Sequence, residues 1–240
     1  MLKQPAWPFP SAVGALQTLR TNKHGQPLDM RPENQTSEDI QQLLAMFKLP
    51  HPPKMLKQVH GRNVIELSTE PDTHNYALAD ACWTRQPGVL CSIMTADCLP
   101  ILVSNRQATL VAAIHCGWRS LAAGIITEVF EQLQCPADDL IIWLGPCISA
   151  AVYQVGPDLI EQFLSQTNVP ELRDCFINDP HAQGKYLADL HGIAMKQWQR
   201  LGATDIHASE QCTIRDNDLY YSWRAEKTSA RMASMIWLKP

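Results

Sequence analysis

The sequence is first informative for what it lacks. It has no run of lysine and arginine, and its 240 residues carry a formal net charge of −4, so it shows no basic patch typical of nucleic-acid or membrane-surface binding. No apolar run approaches the roughly 18 residues that a membrane span needs. Pro5 and Pro8 fall where a secretory signal peptide would have its apolar core. We therefore expect a cytoplasmic protein without nucleic-acid or membrane partners, either a monomer or a small homo-oligomer.

Motifs that would identify several common enzyme classes are also absent. The sequence contains no Walker A loop, no Gly-x-Gly-x-x-Gly, no Gly-x-Ser-x-Gly, no His-Glu-x-x-His and no Cys-x-x-Cys. The zinc nucleobase-deaminase signature is incomplete, because Cys147 after Pro146 is not followed by a second cysteine. Eight cysteines in a chain of this length do not indicate a disulfide scaffold. Any active site must therefore be assembled from dispersed residues.

Hydrophobic periodicity predicts an α+β protein with a single domain over residues 1–240. Hydrophobic residues make up 45% of the chain, which is enough for a sizeable core, and no Gly/Ser-rich or Pro-rich linker divides it. We expect 167–185 to be an irregular insertion. The predicted strands cover 12–19, 55–59, 63–67, 88–95, 100–104, 109–115, 140–144, 204–208, 219–223 and 232–238, and the predicted helices cover 38–48, 119–134, 157–166 and 186–201.

One cysteine and two histidines each stand where an apolar stretch ends in a polar turn. They are His60, Cys98 and His115. Neutral imidazole and thiolate are the ligands that zinc prefers, and three protein ligands leave the open position of a catalytic zinc site. Each residue alone also fits an ordinary strand-end histidine or a buried thiol. Their shared placement at strand ends favours one zinc site, with copper as the alternative metal.

Several arginines are candidates for binding an anion. Arg119 opens a predicted helix directly after the strand of His115, where free backbone N–H groups and a guanidinium would suit phosphate or carboxylate. A solvated helix-end arginine is the equally plausible alternative. Arg224 and Arg231 are weaker candidates, since they could instead pair with surface carboxylates.

Two neighbours of the proposed metal ligands have less certain roles. Cys116 should belong to the core, because adjacent strand residues point to opposite faces. Asp97 could accept a hydrogen bond from a metal ligand. A turn-forming role before Pro100 is slightly favoured for Asp97.

Motifs in the same order along most of the chain, from about residue 12 to the end, resemble a known family. The family is that of the YfiH-type proteins, also called polyphenol oxidases or laccase-domain proteins, purine nucleoside phosphorylases and peptidoglycan editing factor. The matching segments are 58–61, 95–100, 114–119, 144–148 and 186–189.

The resemblance implies a fold, a metal and a set of substrates. The fold is an α/β/β/α sandwich of mixed sheets flanked by helices, and the metal is a single zinc ion at the positions of His60, Cys98 and His115. The implied reactions are phosphorolysis of adenosine, inosine, guanosine and methylthioadenosine, and deamination of adenosine. The sequence departs from the family at 21–27, which is shortened, and at Ala225, where the family usually has an arginine.

The principal hypothesis is a zinc-dependent purine nucleoside phosphorylase with adenosine deaminase activity. His60, Cys98 and His115 would bind the metal and form the catalytic centre, and Arg119 and Arg224 would bind the phosphate. Three alternatives stay open. The first is a copper-dependent polyphenol oxidase. The second is a cysteine hydrolase or amidase that edits peptidoglycan precursors, with Cys98 as nucleophile and His115 as base. The third is a non-catalytic binding protein that retains a structural zinc.

Overall fold

A computed structural model of the protein describes most of the chain, in five continuous segments and four further residues. The described residues are 7–22, 24–34, 53–69, 77–167 and 169–240, together with Glu38, Gln41, Gln42 and Ala45. The apolar positions of the helix predicted over 38–48, Ile40, Leu43, Leu44 and Phe47, lie outside them. No helix within these ranges is long and apolar enough to cross a membrane.

The secondary structure mixes short strands and short helices along the chain. The strands are β1 (Val13–Gln17), β2 (Val64–Glu66), β3 (Ala81–Thr84), β4 (Leu90–Thr95), β5 (Leu99–Asn105), β6 (Val111–Cys116), β7 (Leu140–Leu144), β8 (Gln154–Val155), β9 (Phe176–Asn178), β10 (Tyr186–Ala188), β11 (Asp205–Ala208) and β12 (Met232–Leu238). The α-helices are α1 (Trp118–Ala122), α2 (Ile125–Leu133), α3 (Pro157–Thr167), α4 (Leu190–Arg200) and α5 (Trp223–Glu226).

Two sheets face each other and form the centre of the fold. The larger sheet has the order β11-β7-β5-β6-β3-β2 and is mixed, because β11 pairs with β7 and β2 with β3 in parallel while its other pairs are antiparallel. The smaller sheet is antiparallel and has the order β1-β12-β4. A core of buried side chains that includes Cys82, Ile93, Ala113 and Ile236 fills the space between the sheets.

The helices cover the outer face of the larger sheet. Helices α1 to α4 pack there around a second core that includes Leu121, Phe163 and Trp198. Residues of β5 and β6 that point to opposite faces pack in the two different cores, which explains why these strands are largely apolar. The outer face of the smaller sheet packs against Leu28 and Met30. The structure therefore confirms an α+β protein with mixed sheets flanked by helices.

The long helix predicted over 119–134 is interrupted. Helix α1 ends at Ala122 and α2 begins at Ile125, with Gly124 between them at a φ of 85°. This left-handed conformation is favourable for glycine and costly for other residues, so the chain changes direction there. The prediction of one continuous helix was wrong, although its apolar face is buried as expected: Leu121, Ile125, Val129 and Leu133.

The segment before α4 is more regular than predicted. Within 167–185, expected to be irregular, Pro170–Cys175 forms a 3-10 helix and β9 follows it. Strand β10 occupies the start of the helix predicted over 186–201, so α4 begins only at Leu190. Strands β8, β9 and β10 form a small antiparallel sheet. These strands have only two or three residues each, too few for an alternating pattern to show in the sequence.

Two predicted strands are absent, and β3 was missed in addition to the three strands of the small sheet. Residues 55–59 form only an isolated bridge at Lys57, and in this loop Met55 and Leu56 are buried whereas Val59 is exposed. Residues 219–223 form a turn that leads into α5, where the Ser222 hydroxyl accepts a hydrogen bond from the backbone N–H of Ala225. Of the missed strands, β3 matters for the candidate site, because its pairing with β6 positions part of that site.

Candidate functional site

His60, Cys98 and His115 converge, although they come from three different parts of the fold. His115 lies in β6, Cys98 in the turn between β4 and β5, and His60 in the loop before β2. Their ligand atoms all lie within 4.8 Å of one another, and Nε2 of His60 is 3.8 Å from Sγ of Cys98. A tetrahedral zinc ion with bonds of about 2.0–2.3 Å separates its ligand atoms by roughly 3.3–3.8 Å. The cluster could therefore hold one metal ion.

The cluster is open on one side. His115 is buried, Cys98 is partly buried and His60 is exposed, so solvent reaches the site from the side of His60. Structural zinc sites are usually closed by four protein ligands, whereas catalytic sites keep a position for water or substrate. Three donors with an open side match the second arrangement.

Asp80 is the residue of the site that the sequence analysis missed. Its side chain is fully buried, and Oδ1 lies 2.9 Å from Nδ1 of His115. An imidazole that donates from Nδ1 leaves Nε2 free to bind a metal, which is the usual arrangement of metal-binding histidines. The available signal was a carboxylate inside the apolar run 78–83, a position where charge needs a specific partner.

Asp80 also holds the loop that carries His60. Its carboxylate accepts hydrogen bonds from the backbone N–H groups of Val59 (3.2 Å), His60 (2.8 Å) and Gly61 (2.7 Å). His60 has a φ of 60°, a left-handed conformation that needs local support in a non-glycine residue. Burial alone would raise the pKa of Asp80, but the hydrogen bonds from His115, Gly61 and His60 lower it below its usual value. One carboxylate thus positions both histidines.

The side chains of His60 and Cys98 can approach each other because Gly117, next to both, has no side chain. A Cβ atom at this position would lie 2.8 Å from Cδ2 of His60 and 3.2 Å from Sγ of Cys98. The backbone of Gly117 has φ −70° and ψ 162°, which any residue can adopt. A glycine is therefore required here by the packing of the two ligands and not by the backbone.

Cys98 and His115 shift each other's pKa toward the charged forms. Burial would raise the pKa of the Cys98 thiol, but His115 and His60 lower it to about 6. Burial would lower the pKa of His115, but Cys98 and Asp80 raise it to about 9. Between these two values the thiolate and the imidazolium stabilise each other. A metal ion would replace the proton of His115 as the partner of the thiolate.

The cluster opens into a cleft of about 770 Å³ with a cationic lining. Its cationic side chains are Arg31, Lys57, Arg119, Arg224 and Arg231. The acidic residue among the described lining residues is Asp97, and its two oxygens accept hydrogen bonds from Thr213 Oγ1 and from the backbone N–H of Arg224. This excess of positive charge in a protein of net charge −4 favours an anionic ligand.

Arg119 and Arg224 lie at the cleft with their guanidinium groups supported by aromatic rings. The Arg119 guanidinium lies 4.5 Å from the ring centroid of Trp118, and that of Arg224 lies 5.2 Å from the ring centroid of Tyr153. Both arginines are exposed. The helix after His115 has only five residues, so its N-terminus is a weaker source of positive potential than the predicted helix of sixteen would have been.

The structure also places the two neighbours of uncertain role. Cys116 is fully buried in the core beneath the helices, as predicted. Asp97 contacts neither His60 nor His115 through its carboxylate, which instead joins the Cys98 turn to the segment before α5. The carboxylate that supports the metal ligands is that of Asp80.

Comparison with known proteins gives consistent matches along nearly the whole chain. The model of a family described as multi-copper polyphenol oxidoreductase laccase matches residues 30–239. The purine nucleoside phosphorylase YfiH of Escherichia coli strain K12 is 36% identical, over 98% of this chain and 97% of that protein. A purine nucleoside phosphorylase of Pseudomonas aeruginosa is 35% identical over the same shares.

Solved structures match to a similar extent. A Neisseria meningitidis protein of the DUF152 family superposes with a TM-score of 0.85 at 31% identity, over 98% of this chain and 97% of that one. YlmD from Geobacillus stearothermophilus superposes with a TM-score of 0.84, over 100% of this chain and 99% of that one, and at 23% identity it shows the fold alone. From the family model and the relatives of 35–36% identity, we conclude that the chain belongs to the laccase-domain family of YfiH-type proteins.

Proposed function

We propose that the protein is a zinc-dependent purine nucleoside phosphorylase that also deaminates adenosine. The observation that carries this proposal is the opening of a His-Cys-His cluster into a cleft with cationic walls. Phosphorolysis needs an anion and a nucleoside in one site, and the cleft offers arginines beside aromatic rings. The names of the Escherichia coli and Pseudomonas aeruginosa relatives support this reaction class. The proposed substrates are adenosine, inosine, guanosine and methylthioadenosine, with inorganic phosphate.

We assign the metal to His60, Cys98 and His115. Two imidazoles and a thiolate suit zinc, and Asp80 keeps Nε2 of His115 available by accepting a hydrogen bond from Nδ1. When bound, zinc supplies Lewis-acid polarisation and a water molecule whose pKa falls toward ~7. Deamination consumes water and adenosine and releases ammonia and inosine.

In phosphorolysis, Arg119 and Arg224 would hold the phosphate. A phosphate oxygen forms a bond to the anomeric carbon of ribose, and the bond between that carbon and the purine nitrogen breaks. The proton of hydrogen phosphate passes to that purine nitrogen. The products are the free base and ribose 1-phosphate, or 5-methylthioribose 1-phosphate when the substrate is methylthioadenosine. A guanidinium that already rests on an aromatic ring loses less conformational freedom when it binds, so Trp118 and Tyr153 would prepare the two arginines for this role.

Chromatography of inosine and adenosine incubated with the purified protein tests the proposal. We expect hypoxanthine to form from inosine only when phosphate is present, and inosine to form from adenosine with or without phosphate. Release of the base without phosphate would indicate a hydrolase instead. No change in either nucleoside after zinc loading would contradict the proposed function.

A copper-dependent polyphenol oxidase is the second candidate, favoured by the description of the matching family model. Copper binds imidazole and thiolate well. Reduction of dioxygen to water takes four electrons, and the described residues contain a single cluster of metal donors. Metal analysis of protein produced without added copper, followed by an assay with a phenol, separates this candidate from the first.

A cysteine hydrolase acting on peptidoglycan precursors is the third candidate, favoured by the thiolate-imidazolium pair of Cys98 and His115. Such an enzyme would be active without metal and would be inactivated by a thiol-alkylating reagent. A zinc enzyme would lose activity when the metal is removed and regain it when zinc is returned.

A further inference from the structure

We propose that Arg231 is the fixed contact for inorganic phosphate within the cleft, inward of the exposed Arg119 and Arg224. The inference rests on the proposed phosphorolysis, because it assigns the binding site of the second substrate. Arg231 precedes β12 and lines the same cleft as the metal-ligand cluster.

Backbone carbonyl groups hold the Arg231 guanidinium in place. The NH1 nitrogen donates hydrogen bonds to the carbonyl oxygens of Thr228 (3.1 Å), Ser229 (2.8 Å) and Ala230 (2.9 Å). Among the described residues, neither Nε nor the NH2 nitrogen donates to a protein acceptor. The N–H groups of these two nitrogens form an edge that can bind two oxygens of one tetrahedral anion.

The Arg231 guanidinium forms no salt bridge with a carboxylate in the part of the chain that the structure describes. No carboxylate of the described residues lies within 4.0 Å of its guanidinium. Asp29 is the neighbouring acid, but its carboxylate accepts hydrogen bonds from the backbone N–H of Arg231 and from the Arg31 guanidinium. Partial burial therefore lowers the pKa of Arg231, and the attraction of Cys98 opposes the decrease. A partly buried cation without a partner is stabilised when an anion enters from solvent.

The other cationic groups of the cleft do not combine these features. Arg31 forms salt bridges with Asp29 and Glu33 at 2.7 Å, which neutralise it. Arg119 and Arg224 are exposed and stacked on aromatic rings. Arg224 also lacks a carboxylate partner among the described residues, but it is exposed, and one hydrogen bond from NH1 to the carbonyl oxygen of Gln154 (3.2 Å) holds it. Arg231 is partly buried, and three backbone carbonyl groups hold its guanidinium. This arrangement suits a small anion that must be held rigidly next to a second substrate.

The KM for phosphate in Arg231 variants tests the inference. We expect Arg231→Met to raise this KM about ten- to hundredfold, the usual effect of losing a charge-assisted contact, with little change in the KM for inosine. Arg231→Lys should be similarly impaired, because one ammonium group cannot reach both the carbonyl groups and the anion. Arg200→Met serves as the matched control, since Arg200 is exposed and pairs with Glu171 outside the cleft. An unchanged KM for phosphate in folded Arg231→Met would overturn the inference while the proposed function stands.

A crystal structure of the wild-type protein with inorganic phosphate provides a test that needs neither turnover nor a variant. We expect phosphate bonded to Nε and NH2 of Arg231. Phosphate bound only at Arg119 and Arg224, or no phosphate bound at saturating concentration, would contradict the inference. A parallel crystal with inosine 5′-monophosphate distinguishes the source of the anion, because a site filled only by the nucleotide would exclude free phosphate as its ligand. Phosphate at Arg231 in a protein that does not cleave nucleosides would overturn the proposed function alone.

Discussion

At the scale of single residues, Asp80 determines which nitrogen of His115 is left free for a metal ion. The change Asp80→Asn keeps the size of the side chain but replaces one acceptor oxygen with an NH2 group. If the NH2 group faces His115, it donates to Nδ1, and the imidazole must carry its proton on Nε2, where the metal should bind. If the NH2 group faces Gly61, the backbone N–H of Gly61 in the His60 loop loses its hydrogen-bond acceptor. We therefore expect zinc affinity to fall about ten- to hundredfold.

Competition with a chromophoric zinc chelator measures this affinity. Asp205→Asn is the control, since Asp205 pairs with Arg106 and His207 and does not line the cleft. We expect the control to bind zinc as the wild type does. Equal zinc affinity in Asp80→Asn and wild type would show that Asp80 does not position the ligands.

The low pKa of Cys98 predicts an unusual pH dependence of alkylation in the metal-free protein. The thiolate is the reactive form, and it is present above the pKa and lost below it. The rate of reaction with iodoacetamide should therefore rise through a midpoint near pH 6, because the pKa of Cys98 is lowered to about 6. Peptide mass spectrometry identifies the modified residue. Cys116 provides an internal control, since burial raises its pKa well above the usual value and it should not react.

Bound zinc should protect Cys98 from the same reagent, because the thiolate would then be a metal ligand. A midpoint near pH 8.5, the value of an ordinary thiol, would show that Cys98 and His115 do not form an ion pair.

Arg119 should contribute more to phosphorolysis than to deamination, since phosphate is a substrate of only the first reaction. Loss of one charge-assisted contact typically costs ~1.5–3 kcal/mol, or roughly a ten- to hundredfold effect. We expect Arg119→Ala to reduce phosphorolysis of inosine by this factor and to leave deamination of adenosine nearly unchanged. Equal losses in both reactions would assign Arg119 to nucleoside binding or to the fold, and no loss would make it a solvated surface residue.

At the scale of elements, strand register brings the site together. In the β5–β6 pair, Leu99 lies opposite Cys116 and Pro100 opposite His115, so the Cys98 turn is next to His115. In the β3–β6 pair, Ala81 lies opposite Ile114, which places Asp80 beside His115. The close approach of His60 to Cys98 then depends on the missing side chain at Gly117.

Two glycine-to-alanine changes are expected to have different effects: one on zinc affinity, through packing in the site, and the other on the free energy of unfolding, through the backbone between α1 and α2. Gly117→Ala has a permitted backbone conformation but pushes against His60 and Cys98, so we expect zinc affinity to fall with a smaller effect on stability. Gly124→Ala has free space around its Cβ but a φ of 85°, so we expect a loss of about 1–2 kcal/mol in unfolding free energy with unchanged zinc affinity.

Chemical denaturation and zinc competition on both variants distinguish these effects. The same loss of zinc affinity in the two variants would mean that the site responds to general destabilisation and not to the contact of Gly117 with the ligands.

At the scale of the whole molecule, the sequence predicts the long central strands best. Strands β4, β5, β6, β7 and β12 are mostly apolar, because each lies in a sheet with side chains buried on both faces. The sequence motifs also single out the three residues that the structure brings together, His60, Cys98 and His115. Short strands, the break at Gly124 and the role of Asp80 depend on pairing and register, which a single sequence does not specify.

Positive charge is concentrated in the cleft, although the protein as a whole is acidic. A net charge of −4 alone suggests no anionic ligand, yet arginines far apart in sequence, from Arg31 to Arg231, meet in one cleft beside the metal-ligand cluster. Only the folded chain shows this concentration of positive charge. The cleft would attract phosphate although the protein as a whole is acidic.

The most direct test of the proposed site and reaction is the formation of ribose 1-phosphate from inosine and phosphate by zinc-loaded wild-type protein and by Cys98→Ala. Thermal unfolding of both proteins controls for loss of structure. We predict that the wild type forms ribose 1-phosphate and hypoxanthine in equal amounts, and that Cys98→Ala remains folded and forms neither. Ribose 1-phosphate formation by Cys98→Ala at the wild-type rate would contradict a catalytic metal held by His60, Cys98 and His115.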